Sequence, residues 1–152
     1  MAQKKIRVIQ YGLGPIGIET ARLVLKKSNM KLVGAVDISK DIAGKDLGEV
    51  LGTGKKLGVK VSDDAKALFR KTKADVVLHT AGSRIPKIYD QLVEIVGGGL
   101  NIVSSSEELL FPLKGSAKLA NKIDALARTK KVTVLGTGVN PGFVMDALPL
   151  FL

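Results

Sequence analysis

Gly12-Leu13-Gly14-Pro15-Ile16-Gly17 places glycine at the first, third and sixth positions of a hexapeptide, the spacing of a turn that cradles a pyrophosphate. Gly12 allows a tight turn, Gly14 lets the backbone approach the phosphates, and Gly17 allows a helix to lie close to a strand. Pro15 suits the first helical position, and the positive end of the helix it opens would face the phosphates. Glycines also cluster in ordinary turns, so the flanks decide the reading. The turn follows an apolar strand, opens an amphipathic segment, and precedes a second strand ending in Asp37, 20 residues beyond Gly17. A carboxylate there accepts hydrogen bonds from the hydroxyls of an adenosine ribose and repels a 2′-phosphate. NAD is therefore favoured over NADP, with Ile38 placed beside the same site. Ser39 and Lys40 lie just beyond and could receive a phosphate if the loop turned inward, which keeps NADP open.

Further polar residues fall where later strands should end, at the edge where open α/β sheets bind ligands. Thr80-Ala81-Gly82-Ser83 is one such crest and is read as part of the cofactor site. His79, the only histidine, stands beside it as either a packing residue or a substrate contact. Glu107-Glu108 follow Ser104-Ser105-Ser106 at the next crest. One of them is a candidate general base, although paired acids also open solvated turns. Spacing does not choose between the two. Gly136-Thr137-Gly138-Val139-Asn140-Pro141-Gly142 is a second glycine-rich crest, and Asn140 is a candidate contact for the nicotinamide carboxamide.

The elements that would carry these crests alternate. Strands are predicted at 6–11, 31–37, 59–61, 74–80, 100–104 and 132–135, and helices at 15–27, 46–51, 63–71, 87–96 and 116–129. Ile18, Ala21 and Leu25 share one face of the first helix; Leu119, Ile123, Leu126 and Ala127 repeat the pattern in the last. Gly97-Gly98-Gly99 reads as a helix stop with positive φ. That order predicts a Rossmann-type α/β domain, a doubly wound and mainly parallel sheet with helices on both faces.

A length of 152 residues suits one such domain. With no cysteine there is no disulfide, thiolate metal site or cysteine nucleophile, and no metal is expected. Met1–Lys5 could mimic the start of a leader, but Arg7 and Gln10 interrupt the apolar stretch behind it. No run reaches the ~20 apolar residues of a membrane span, so a soluble cytoplasmic protein is expected. The formal charge of +10 fits either a nucleic-acid surface or attraction for an anionic cofactor. Basic residues are scattered in pairs at element ends and aromatics number only six, so nucleic acid is not the expected partner.

Asn140-Pro141-Gly142 resembles a helix start, and the segment it opens, Phe143-Val144-Met145-Asp146-Ala147-Leu148-Pro149-Leu150-Phe151-Leu152, is strongly apolar. One expectation is a cofactor domain over 1–152, with a linking helix beginning at about 141–152 and a substrate and dimerisation domain absent from this chain. The other is a tail buried between copies, since large apolar patches mark interfaces.

Val8-Ile9-Gln10-Tyr11-Gly12-Leu13-Gly14-Pro15-Ile16-Gly17, Gly44-Lys45-Asp46-Leu47-Gly48, Ser106-Glu107-Glu108-Leu109 and Leu135-Gly136-Thr137-Gly138-Val139-Asn140-Pro141-Gly142-Phe143 together resemble the 2,4-diaminopentanoate dehydrogenase and amine dehydrogenase family. That family lies within the dihydrodipicolinate reductase-like superfamily. The resemblance runs along the whole chain, and its last motif is the most specific. It implies an NAD(P)-dependent oxidative deamination of a small amine, a catalytic glutamate in the segment matching Glu107-Glu108, and a dimer or larger homo-oligomer. Dihydrodipicolinate reductase proper, which reduces a cyclic imine, is the near alternative. Its fifth-strand loop is usually glycine–threonine–threonine–glycine, from which Ser104–Glu108 depart. A non-catalytic NAD(H)-sensing module is the second class of reading; it would need no acids beside the nicotinamide.

Overall fold

The computed structural model describes residues 4–152, so the opening Met1–Lys5 segment falls partly outside the described residues. Strands and helices alternate as the pattern predicted. They are β1 (Ile6–Tyr11), α1 (Pro15–Lys26), β2 (Met30–Val36), α2 (Leu47–Val50), β3 (Val61–Ser62), α3 (Ala65–Lys71) and β4 (Val76–His79). There follow α4 (Ile85–Gly97), β5 (Asn101–Ser104), α5 (Glu107–Leu110), α6 (Ala117–Lys130) and β6 (Val134–Gly136). Six parallel strands with intervening helices make this a Rossmann-type α/β fold. The chain divides into two compact units, one ending at Thr80 and one spanning Ala81–Leu152.

In the first unit β1 pairs with β2 on one side and β4 on the other, and β2 pairs with β3. Val8, Leu32, Ala35 and Val61 from the strands pack with Leu13, Ala21 and Val24 in one core. Each large side chain buried there stabilises the fold by roughly 1.5–3 kcal/mol. The buried stripe of α1 is Gly17, Ala21 and Val24. The predicted stripe through Leu25 is therefore displaced by one residue, and Leu25 remains 39% exposed. At the far end of the strands the Arg7 guanidinium takes both oxygens of Asp75 at 2.7 and 3.0 Å, and the Arg7 amide donates to the same carboxylate at 2.7 Å. Those bonds hold the Asp75 carboxyl well below the usual carboxylate range, the Arg7 side-chain bond first among the causes.

Asp46 organises the segment between β2 and β3. Its carboxylate accepts from the amides of Gly48, Leu57 and Gly58, each at 2.8 Å, capping α2 and drawing the far side of the loop onto it. The Leu57 amide leads in lowering the Asp46 pKa from its ordinary value.

The second unit is built on α4, where Ile85, Ile88, Leu92, Ile95 and Val96 are buried at helical spacing. α4 packs on α6 through the buried Ile123 and Ala127, and β5 pairs with β6. Gly98 stays right-handed, and the positive φ expected of the glycine run falls on Gly99, at +75°. The C-terminal segment departs from expectation. Gly142 has φ +111°, outside helical space, and Asn140–Pro141 is cis. Helical structure begins only at Phe143, as a π-turn to Ala147 followed by a 3₁₀ turn at Leu148–Leu150. Phe143, Leu150 and Phe151 are exposed there, as the apolar pattern suggested. No helix among the described residues is long and apolar enough to cross a membrane.

Candidate functional site

β1 delivers the chain into the glycine turn of the first unit. Gly12 sits at φ +87°, a conformation that side chains resist, and its amide donates to the Val36 carbonyl at 2.9 Å. A Cβ at Gly17 would overlap the Gly12 carbonyl oxygen and come within 2.7 Å of Thr80 Oγ1. That position is therefore closed to any larger residue. At Gly14, by contrast, a Cβ would meet nothing within 4 Å. The two glycines serve different ends: one permits close packing, the other leaves space open.

α1 begins at Pro15 with no side-chain cap and no acid in its first turn. Proline has no N–H, and Ile18 donates to Gly14 at 2.9 Å. The amides of Ile16 and Gly17 are thus the donors of the first turn that have no partner within the helix. Leu13 turns its side chain into the core, 4% exposed, whereas Ile16 and Ile38 stand at 63% and 81%.

Asp37 closes on this turn. Its Oδ2 accepts the Leu13 amide at 2.6 Å and its Oδ1 the Ser39 amide at 2.9 Å. The acid that spacing placed near the glycines is thus bonded to their turn, at Leu13. Thr80 lies beneath the same turn. Its hydroxyl is 3.0 Å from the Gly12 carbonyl and accepts from Gln10 Nε2 at 2.9 Å. Gln10 Nε2 also donates to the Gly12 carbonyl at 3.0 Å. Gln10 was not among the expected site residues, although a polar side chain amid the apolar run of β1 was its signal. It is fully buried, and its Oε1 has no hydrogen-bond partner among the described residues. A buried acceptor left unmet costs about 1–3 kcal/mol, so this amide is held at some expense of stability. His79 is fully buried with its ring against Tyr11, centroids 5.3 Å apart, as a packing residue would be.

In the second unit the paired glutamates separate. Glu108 Oε2 accepts the Ile85 amide at the start of α4 at 2.9 Å and the Ser116 hydroxyl at 2.7 Å. Its own amide donates to the Ser83 carbonyl at 3.3 Å, and Ser106 Oγ donates to the same carbonyl at 2.7 Å. Glu108 thereby clasps the loops holding Ser83, Ser106 and Ser116. Glu107, the first residue of α5, is exposed and has no such bond among the described residues. Ala81 is exposed, and Gly82 approaches Ile88 so closely that a Cβ would come within 2.9 Å of its methyl group. Gly136 lets β6 pass α5, since a Cβ there would lie 2.6 Å from the Leu110 nitrogen. Asn140 is exposed on a loop closed by a bridge between Gly138 and Gly142. No cluster of metal-ligating side chains occurs among the described residues.

Residues 6–98 match the family described as dihydrodipicolinate reductase, N-terminus. The chain belongs to this family. The 2,4-diaminopentanoate dehydrogenase of Acetoanaerobium sticklandii is 36% identical over 151 residues, covering 98% of this chain and 42% of that protein. The structure of an amine dehydrogenase from Mycobacterium smegmatis matches with a TM-score of 0.84 and 38% identity, over 88% of this chain and 39% of that one. A 4-hydroxy-tetrahydrodipicolinate reductase of Mastigocladus laminosus is 26% identical over 93% of this chain and 49% of its own length. The chain thus spans less than half the length of these relatives. The resemblance drawn from the motifs is borne out, the amine dehydrogenases included.

Proposed function

We propose that the chain binds NAD(P) on the glycine turn of its first unit and serves a dehydrogenase acting at the nitrogen-bearing carbon of a small amine. The observation that carries the cofactor reading is the arrangement around Gly14. Open space lies over that residue, the first turn of α1 is uncapped, and a carboxylate is bonded to the turn itself. These residues fit a dinucleotide. The amides of Ile16 and Gly17, with the positive end of α1, suit its pyrophosphate, and Asp37 suits its ribose.

Asp37 favours NAD over NADP in this reading, because a carboxylate repels a 2′-phosphate. Asp37→Ala is expected to lower the ratio of NAD to NADP affinity by roughly tenfold or more, the worth of one or two charge-assisted hydrogen bonds. Calorimetric titration of both cofactors checks it, and an unchanged ratio would remove Asp37 from the site.

Amine as the substrate class is supported by the two relatives whose names carry it. When bound, the nicotinamide supplies hydride transfer. The protein must hold the amine and move a proton, and Glu107 is the residue proposed for the proton. It is the glutamate of the pair whose carboxylate is not committed to a helix start and a serine. Thr80 belongs to the proposed cofactor site of the first unit through the glycine turn it supports, and Ala81, Gly82, Ser83 and Asn140 are proposed as crest residues of the second unit. Reduction of a cyclic imine is the second reading, supported by the family match and by the Mastigocladus relative. Assembly as a homo-oligomer belongs to the same proposal, and the exposed Phe143, Leu150 and Phe151 support it.

A further inference from the structure

One peptide unit in the glycine turn is gripped at both ends. The Gly12 carbonyl accepts from Gln10 Nε2 at 3.0 Å and lies 3.0 Å from the Thr80 hydroxyl. Thr80 Oγ1 in turn accepts the second Gln10 donor at 2.9 Å, and its single proton has the Gly12 carbonyl at 3.0 Å as the nearer acceptor and the Tyr11 carbonyl at 3.2 Å as the other. Across the planar trans peptide, the N–H of Leu13 points the opposite way from that carbonyl. There it meets Asp37 Oδ2 at 2.6 Å, while Asp37 Oδ1 takes the Ser39 amide. Two donors beneath the turn, from β1 and from the end of β4, thus fix the direction of the amide that Asp37 grips. Gln10 is an amide in a row with the buried Val8 and Ala35 and the partly buried Leu78, where an apolar side chain would otherwise pack. Its Oε1 is left unbonded, so its place there is explained by what its Nε2 does rather than by satisfaction of its own polar atoms.

We propose that Gln10 and Thr80 are positioning residues which, through the Gly12–Leu13 peptide, orient the Asp37 carboxylate and so set discrimination between NAD and NADP. Neither side chain touches the cofactor in this scheme. The inference rests on the cofactor reading above, and the test separates the two.

Gln10→Met removes both donors at similar length, and Thr80→Val removes only the hydroxyl. Each is made in the full-length protein, and NAD and NADP are titrated into folded material. Exchange of the Leu13 amide proton is measured without ligand. In both variants the NAD to NADP affinity ratio should fall roughly threefold to tenfold, the worth of one net hydrogen bond. The Leu13 amide should exchange faster, and Thr80→Ser, which keeps the hydroxyl, should restore both readouts. General loosening of the fold would weaken the two cofactors alike and leave the ratio in place. If Gln10→Met does not fold, Thr80→Val carries the test alone. A ratio unchanged in the folded variants, while Asp37→Ala shifts it, overturns the positioning role. A ratio unchanged in Asp37→Ala itself overturns the ribose assignment instead, and unaltered Leu13 exchange then overturns the clamp as well.

Discussion

Gly14→Val should leave the protein folded and remove its affinity for both NAD and NADP. Gly14 has φ −65° and ψ −177°, a conformation open to valine, and its Cβ would meet nothing within 4 Å. The cost therefore falls on whatever fills that space. A branched side chain there would hold a pyrophosphate away from the amides of Ile16 and Gly17. Losing two charge-assisted bonds at about 1.5–3 kcal/mol each lowers affinity by at least about 100-fold. Thermal unfolding and cofactor titration on the same sample read the two halves of the expectation. Gly17 is the control, because a methyl group there overlaps the Gly12 carbonyl and should unsettle the fold first. A folded Gly14→Val protein that binds as the parent does would reduce the glycine turn to a turn.

The second large effect concerns the glutamates, and rests on the proposed deamination, measured in the full-length protein with a diamino acid offered as substrate. Glu107→Gln should leave cofactor affinity nearly unchanged and lower kcat by roughly 10²–10⁴-fold, the usual worth of a general base. The amide keeps the shape and loses the ability to take a proton, so kcat should fall more than binding. Glu108→Gln should act differently. Its oxygen accepts from Ile85 and Ser116, and a carboxylate at the start of α4 also meets the positive end of that helix. A neutral amide weakens both contacts, so melting temperature should fall while a large part of the turnover remains. Full activity in Glu107→Gln would return that residue to the solvated surface and remove it as the base.

What the sequence could disclose followed the range of the interactions involved. The bounds of β1 and the start of α1 match because local signals set them, namely the apolar run, the glycines and Pro15. Strand ends elsewhere moved by a residue or two because pairing decides them. β3 was expected at 59–61 and is Val61–Ser62, where Ala35 and Val36 supply its partners. α5 was not foreseen, since four residues are too few to show a helical period. The C-terminal helix start looked persuasive by composition, but the positive φ of Gly142 delays it to Phe143.

The candidate site divides in the same way. Gly12, Gly14, Gly17 and Asp37 were legible because their spacing is their function. Gln10 was visible only as an oddity within β1, for its partner Thr80 stands 70 residues away. Glu107 and Glu108 were indistinguishable by spacing, and the contacts of Glu108 with Ile85 and Ser116 separate them.

The central claim is that the first unit holds a dinucleotide on its glycine turn, and NAD titrated into isotope-labelled full-length protein tests it most directly. The amide signals of Gly12, Gly14, Ile16, Gly17 and Ser39 should move together and saturate with a single affinity. Those five signals standing still at saturating cofactor, or shifts confined to other parts of the chain, would contradict the account.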